Sequence, residues 1–548
     1  MPRGFESCYL AGEAISRTFI PLDFRSGADR IGRTRAAAER RPEPGLIAEL
    51  RTQQAALAPS PARATNLDAL AAGGTAVVVT GQQVGLFLGP LYGFYKAASA
   101  IAVARALEAQ AGVRCVPLFW LQTEDHDYAE IASATVAGPG GQPITLSLPP
   151  EPAAEGRASL AHRRLPSEID AQLDALAELL GAGPAAEETL ALLRAHYRAG
   201  AGIAQAFAGV LATLFADEGL LVLDPRVPAV AALAAPIYRE ALAGAEAIER
   251  RLDERGAALA AAGFDQQIPP RPGCSLLFGH RTGATGPRYR LERPTDPGAP
   301  TALWRLAGGD GGFTAEELAA ALRTDPLRFS TSALLRPIVQ DTLLPTAAYV
   351  GGPAEVRYFA QMQPLYDHFR LPMPLVVPRA RFRCLEPHTR RRLAELGCTA
   401  DDVERAGDHL ADGLGAAPPP GVPSRAELEA RVAADIAPVV DQIAATVAAL
   451  DPRDRNLGRA AERTRAHVTR ALARLTARFG RKLAERDGAT AARLARVRLA
   501  LAPDGVPQER AYAWPSLAGR VGPATLKTLV LARLADEPFP TKLQDLAP

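Results

Sequence analysis

The chain is poor in lysine and cysteine and has no long hydrophobic run, and each shortage excludes something. Lysine occurs four times, at 96, 482, 527 and 542, so nearly all of the 62 basic residues are arginine, and 60 acidic residues bring the formal net charge to only +2. That balance excludes a nucleic-acid coat or a polybasic membrane surface as the main partner, and any basic site must be local. Five cysteines, at 8, 115, 274, 384 and 398, are scattered, odd in number and without a CxxC pair. The spacing argues against a structural zinc and for free thiols in a reducing compartment. No apolar stretch approaches the roughly 20 residues that cross a bilayer. The start "MPRGFESCYLAGEAIS" has no apolar signal core, so a cytosolic protein is expected. Gly81, Gly85 and Gly89 imitate a membrane GxxxG face, but Gln82, Gln83 and Pro90 spoil it. At 548 residues, the chain is too long for one core.

Five short apolar runs end in turn chemistry: "TAVVVTG" (75–81), "CVPLFWLQ" (115–122), "GLLVLDP" (219–225), "PTAAYVGG" (345–352) and "MPLVVPR" (373–379). Continuous rather than alternating apolarity predicts strands covered on both faces. Helix-length segments at 90–110 and 353–370, with Pro90 and Pro353 at their starts, make two βαβ units. The expected fold class is α/β, a Rossmann-like doubly wound parallel sheet. The expected divisions are 1–159 for the first half of the core, a helical insert at 160–218, a core strand and helix at 219–249, and a mixed insert at 250–330. The second half of the core follows at 331–414, then a helical hairpin at 424–501 and a closing segment at 502–548.

The hairpin rests on spacing. Leu428, Val432, Ile436, Val439, Ile443, Val447 and Leu450 recur every three or four residues, and Val468, Leu472, Leu475, Phe479 and Leu483 form a second seam. Ser424 and Glu427 suit a capping box, "DPRD" (451–454) a turn and "GAAPPPGVP" (415–423) a linker, while Pro438 is expected to kink the first arm. The result is an antiparallel coiled coil whose apolar seams need the other arm or a second subunit.

Ligands of open α/β sheets bind beyond the carboxyl ends of the strands. "TGQQVGLFLGP" (80–90), "TEDHD" (123–127), "DPR" (224–226) and "GGPAE" (351–355) all fall there. The glycine loop is neither Walker A nor GxGxxG; its amides and the following helix start suit a phosphate or carboxylate, with Lys96 two turns on. Tight turning and a solvated lysine are the plainer alternative. In Glu124, Asp125, His126 and Asp127 the carboxylates suit Mg²⁺ or a substrate ammonium and the imidazole a general base, or the cluster only complements a helix start. Arg336 and Arg379 reach the same edge and suit an anionic group.

"VVVTGQQVGLFLGPLYGFYKAASAI", "VPLFWLQTEDHDYAEI", "LLRPIVQDTLLPTAAYVGGPAEVRYFAQMQPLYDHFRLPMPLVVPRARF" and "PDGVPQERAY" together resemble the BshC family, cysteine-adding enzymes of bacillithiol synthesis. The resemblance runs in the same order over nearly the whole chain. It implies a core related to class I aminoacyl-tRNA synthetases, connecting-peptide inserts and a homodimer made by the coiled coil. It also implies a ligase that joins cysteine to glucosaminyl malate, using ATP with Mg²⁺ to activate the carboxylate, and no resident metal site, nucleic acid or membrane. On this reading Thr80, Gly81, Gln82, Gln83, Gly89, Tyr92 and Lys96 line the nucleotide side. Asp125, His126 and Asp127 form the reaction centre, and Glu124, Arg336, Arg379, Gly351 and Gly352 bind substrate. The HIGH and KMSKS signatures of those synthetases are absent: "GPLY" stands in the first position and no lysine lies near "PRARFR". Two alternatives stand beside this one, an idle coiled-coil scaffold of a thiol pathway and an adenylating enzyme for another carboxylate.

Overall fold

The five apolar runs become five strands: β1 (Ala76–Gln82), β2 (Cys115–Leu121), β3 (Leu221–Leu223), β4 (Thr346–Gly351) and β5 (Leu375–Pro378). They pair in the order β5-β4-β1-β2-β3, and every pairing is parallel. The runs are apolar throughout because helices cover the sheet. Leu91–Ala111 packs on β1 and β2, Gly27–Ala38 on β4 and β1, and the side chains of β2 and β4 are buried from end to end. From β1 the chain winds outward through β2 to β3 and then returns to lay β4 on the other flank of β1. The strand order therefore reverses between β1 and β4, and the crevice beyond their carboxyl ends is where such sheets take ligands. Pro90 immediately precedes Leu91–Ala111, and Pro353 opens Pro353–Phe359. The segment expected to be one helix to residue 370 is two, Pro353–Phe359 and Gln363–His368.

The computed structural model describes residues 4–152, 156–280, 283–294, 303–406, 422–450, 455–486 and 488–548. They form two compact units. The first comprises Met1–Val136, Ile144–Phe382 and Tyr512–Leu546, so both inserts belong to the same body as the sheet. The helical insert is Ile169–Leu180, Pro184–His196 and Ile203–Leu214. The mixed insert is built on an antiparallel sheet with strands Phe329–Thr331, Cys274–His280, Arg288–Glu292, Trp304–Leu306 and Gly312–Phe313 in that spatial order.

The second unit comprises Ala137–Pro143, Arg383–Ala511 and Ala547–Pro548. It has its own small core of Leu385, Leu393, Leu396, Val403, Leu494, Val497 and Leu501. Ser424 and Glu427 do form the capping box at the start of the first hairpin arm. The arms run antiparallel: Asp441 lies 3.5 Å from Arg465, and Thr476 donates to Glu429 at 3.5 Å. The linker at 415–421 and the turn at 451–454 lie outside the described residues.

Pro438 reshapes the first arm in a way the spacing did not foretell. Lacking an N–H, it cannot close the helical bond to the turn before it, and the chain meets it with a π-helical turn, Val432–Ile436. One extra residue in a turn rotates the following face by about 100°. Leu428 and Val432 are half-buried, but beyond the π turn that place passes to Ala437, Val440 and Ala444. Ile436, Val439, Ile443, Val447 and Leu450 are left exposed by 38% to 82%.

A Cβ on Gly81 would stand 2.7 Å from the Trp120 carbonyl oxygen, so only glycine lets β1 and β2 close at the site edge. Gly81→Ala is expected to destabilise the protein by about 1–3 kcal/mol, as overpacking of a tight interior does. Urea denaturation followed by circular dichroism measures this, and an unchanged midpoint would mean that the strands part without cost.

Candidate active site

At the reversal point a buried cation organises the strand ends. The Lys96 ammonium donates to the Gly81 carbonyl at 2.8 Å, to Gln82 Oε1 at 2.9 Å and to the Glu355 carboxylate. Its three donors are thereby used. Glu355 also accepts from the Tyr349 hydroxyl and, at 2.7 Å, from the Gly352 amide. Burial opposes the carboxylate's charge, yet Lys96 and these donors outweigh it and hold the Glu355 pKa below the usual carboxylate range. Arg336 stands behind the pair and donates to Gln340 at 2.8 Å, Tyr349 at 3.1 Å and Tyr358 at 3.0 Å. Lys96 and Arg336, expected on the nucleotide and substrate sides, are thus enclosed by partners from the strand ends and the helices that follow them.

The glycine loop is likewise occupied. Phe87, Leu88 and Gly89 have φ of +52°, +73° and +66°, a left-handed path that costs the two non-glycine residues about 1–3 kcal/mol each. Their burial and one tyrosine hold it: Tyr197, from the helical insert, accepts from the Leu88 amide at 3.0 Å and donates to the Gly85 carbonyl at 3.1 Å. The amides of Gly85, Gly89 and Leu91 donate to Gln83, Leu86 and Tyr512 carbonyls. These amides are spent inside the protein, so the loop is no ready phosphate cradle. Thr80 donates to Val350 at 2.8 Å and serves the sheet. Of the expected nucleotide side, Gln82, Gln83 and Tyr92 remain at the ligand edge; Gln82 Nε2 donates to the Tyr92 hydroxyl at 3.4 Å, and the Arg379 guanidinium lies 5.5 Å from the Tyr92 ring centre.

The loop after β2 meets the loop after β1 directly, since Gln83 Nε2 donates to Asp125 Oδ2 at 2.8 Å. The other Asp125 oxygen lies 3.5 Å from His126 Nδ1 and 3.5 Å from Arg288 Nη1. The antiparallel insert supplies the rest of the wall. Glu124 accepts from the Thr331 amide at 3.1 Å and from its hydroxyl. Arg288, stacked 3.9 Å from the Phe278 ring centre, donates to the Thr331 carbonyl at 2.8 Å. Asp127 accepts from the Glu130 amide at 3.2 Å and caps the short helix Tyr128–Ile131, the structural alternative for this cluster. The "DPR" turn is a brace: Asp224 accepts from Thr123, and Arg226 is buried against Phe329, His280 and Ala284.

Burial and then the Arg288 cation push the His126 pKa below that of a free imidazole, against the pull of Asp125. Burial lowers even the Arg288 guanidinium to about 10. The Asp125 side chain is 39% exposed and that of His126 27%, whereas that of Arg288 is 4% exposed. A ligand can therefore reach the carboxylate and the neutral imidazole, while the arginine acts from behind. Sequence reasoning gave Glu355, within "GGPAE", no role of its own, and it missed Tyr197, Arg288, Phe278 and Thr331. Each lies far along the chain from the loop it supports and has no motif of its own.

A parallel sheet with its order reversing at β1 and β4, and polar loops joined across that edge, defines a Rossmann-like α/β protein with a switch-point site. Residues 9–380 match the family model described as "Bacillithiol biosynthesis BshC, N-terminal Rossmann-like domain". A Koribacter versatilis protein named "Putative cysteine ligase BshC" is 34% identical over 474 residues, covering 86% of this chain and 85% of its own. Proteins of the same name from Salinibacter ruber and Solibacter usitatus are 32% and 33% identical, over 93% and 85% of this chain and 90% and 83% of theirs. The chain belongs to the BshC family.

His126 is expected to titrate below pH 6.5 by NMR, and Arg288→Met to raise its pKa. Folding lowers this pKa, so the group's contribution to stability is intact above about pH 6.5 and is lost as pH falls below it. A His126 pKa that does not move in Arg288→Met would remove the arginine's electrostatic role.

Proposed function

We propose that the chain is a cysteine ligase that joins the carboxyl group of cysteine to the amino group of glucosaminyl malate, the last step of bacillithiol biosynthesis. The names of its relatives support the reaction class. The observation that carries the assignment of residues is the Gln83–Asp125 hydrogen bond, which makes one site of two loops and places an accessible carboxylate beside a neutral imidazole. Asp125 pairs with the cysteine ammonium and leaves the carboxyl group as the reacting end. As the amine attacks the activated acyl carbon, the C–N bond forms, the C–O bond to the phosphate-bearing leaving group that ATP supplies breaks, and the surplus proton on nitrogen passes to His126. A neutral imidazole can do this and an imidazolium cannot. Gln83 and Arg288 position the pair, Glu124 anchors the loop through Thr331, and Arg379, Gly351 and Gly352 face the anionic acceptor.

ATP, with Mg²⁺, supplies the carboxylate activation that an amide from a free acid requires. The loop amides and Lys96 that would hold its phosphates are engaged elsewhere, so no contact to it is assigned there. Among the described residues no group of three or more His, Cys, Asp or Glu is placed to hold a metal ion, and no helix is long and apolar enough to cross a membrane.

Mass spectrometry of purified protein incubated with cysteine, ATP and glucosaminyl malate is expected to show the cysteinyl product. His126→Ala should lower turnover by about 10²–10⁴-fold, and Asp125→Asn should raise the KM for cysteine. Turnover near wild type in both variants would remove this pair from the reaction, and absence of product with the intact protein would favour the scaffold.

The exposed stripe from Ile436 to Leu450 supports a homodimer through the hairpin, because an unpartnered apolar helix face is stable only when covered. Light scattering is expected to give twice the chain mass, and Ile443→Asp the mass of one chain; a monomeric wild type would end this reading.

A further inference from the structure

The second arm of the hairpin, Arg455–Arg486, holds ten basic residues and two acidic ones, so it carries a formal +8 and the rest of the chain −6. The positive charge is not scattered around the helix. At about 100° per residue, Arg459, Arg463, His467, Arg470, Arg474 and Arg478 fall within a sector of about 100° and run for about 28 Å along the axis. All six are exposed. Ala461, Val468, Leu472 and Thr476, buried or half-buried, centre on a direction about 170° away, so the cations occupy the face turned from the first arm. We propose that this face binds the phosphate backbone of a nucleic-acid duplex, without regard to base sequence. The inference stands apart from the ligase reading, and it uses the other arm from the apolar stripe that supports the dimer.

Three features carry it. Among the described residues, none of the five arginines has a carboxylate partner; Arg463 and Arg474 donate only to the carbonyls of Arg459 and Arg470, one turn back. Arg465, which does meet Asp441, lies on the side of the first arm, and the acidic Glu462 falls outside the sector. Secondly, Arg459 and Arg463, Arg470 and Arg474, and Arg474 and Arg478 are like charges four residues apart, a spacing that weakens a helix. A face that met only water would intersperse the two signs, so folding does not account for the repetition. Thirdly, the sector suits phosphates and not other anionic surfaces. The guanidinium fork matches two phosphate oxygens, and the cations recur about every 6 Å, along a partner that carries one charge per ~1.7 Å of axis. Between them stand Ala460, Ala471 and Ala477, small enough for a rigid backbone to approach. The sector lacks the bulky apolar residues with which a helix enters a membrane surface, and the aromatic rings on which single-stranded bases stack. With −6 on the rest of the chain, contact is confined to this arm.

The test uses the full chain and fluorescence anisotropy with labelled DNA and RNA duplexes of one sequence. Binding is expected to weaken as salt rises, with log K falling by about 4–5 per decade of salt, as five phosphate contacts require. R463Q/R470Q/R474Q should bind about tenfold or more weakly and lower that slope by about 3. All three arginines are exposed, so circular dichroism should show the hairpin intact. R51Q/R194Q/R250Q removes the same charge from exposed arginines elsewhere and should bind as the wild type does. Preference for one duplex assigns DNA or RNA. No binding of either duplex at low salt, or equal affinity in R463Q/R470Q/R474Q and the control, overturns the proposal. Tighter binding of poly-L-glutamate or of phosphatidylserine vesicles than of duplex also overturns it, and assigns the face to an acidic protein or a membrane. Cysteinyl product is expected equally from R463Q/R470Q/R474Q and the wild type; its absence from both removes the ligase reading and leaves this one standing.

Discussion

One ammonium ties the two halves of the parallel sheet together where their order turns. Lys96 stands on the helix after β1, and Glu355 on the helix after β4. Around the pair converge a carbonyl and an amide side chain from the end of β1, a tyrosine hydroxyl from β4 and the amide that follows it. Removing such charges from water costs several kcal/mol per ion and is offset only when every donor finds an acceptor. That condition holds in one register. A slip of β1 against β4 would carry Gly81 and Gln82 away from the ammonium and leave a bare charge inside the protein. The interaction therefore specifies the crevice more than it stabilises the fold, and the loops after β1 and β4 inherit their positions from it.

With those loops fixed, the acidic segment after β2 needs walls from elsewhere. Gln83 reaches it from β1, while Thr331 and Arg288 reach it from the antiparallel insert. The insert is thus a side of the site and not only a cover over it. Its arginine is buried against Phe278 and adds, after burial, to the lowering of the His126 pKa. A positive charge behind a base and a carboxylate beside it are opposing influences, and burial decides the balance in favour of the uncharged ring.

The strands were legible because burial on both faces writes a continuous apolar run, and Pro90 and Pro353 marked the helix starts within a residue. The meeting of Gln83 with Asp125 followed from the same reasoning, since adjacent parallel strands bring their following loops together. The destination of the hydrogen bonds was not legible. Sequence shows that Lys96 has three donors and that the glycine loop has free-looking amides, but Glu355 lies 259 residues on and Tyr197 more than 100. The hairpin shows the same limit. Its three-and-four spacing is real, yet one proline inserts a residue into the turn before it, and the phase of the seam is lost from Ile436 onward.

The cations at the switch point divide by what faces them. Lys96 and Arg336 are enclosed with Glu355, Tyr349 and Tyr358, and their charge is consumed in holding the strand ends. Arg379, also buried, donates to the Ala380 carbonyl at 2.9 Å and lies 5.5 Å from the Tyr92 ring centre. In a chain with four lysines, one is a buried strut at this edge. Such a grouping leaves no motif, because a motif records neighbours in sequence, and Lys96 and Glu355 are made neighbours by folding.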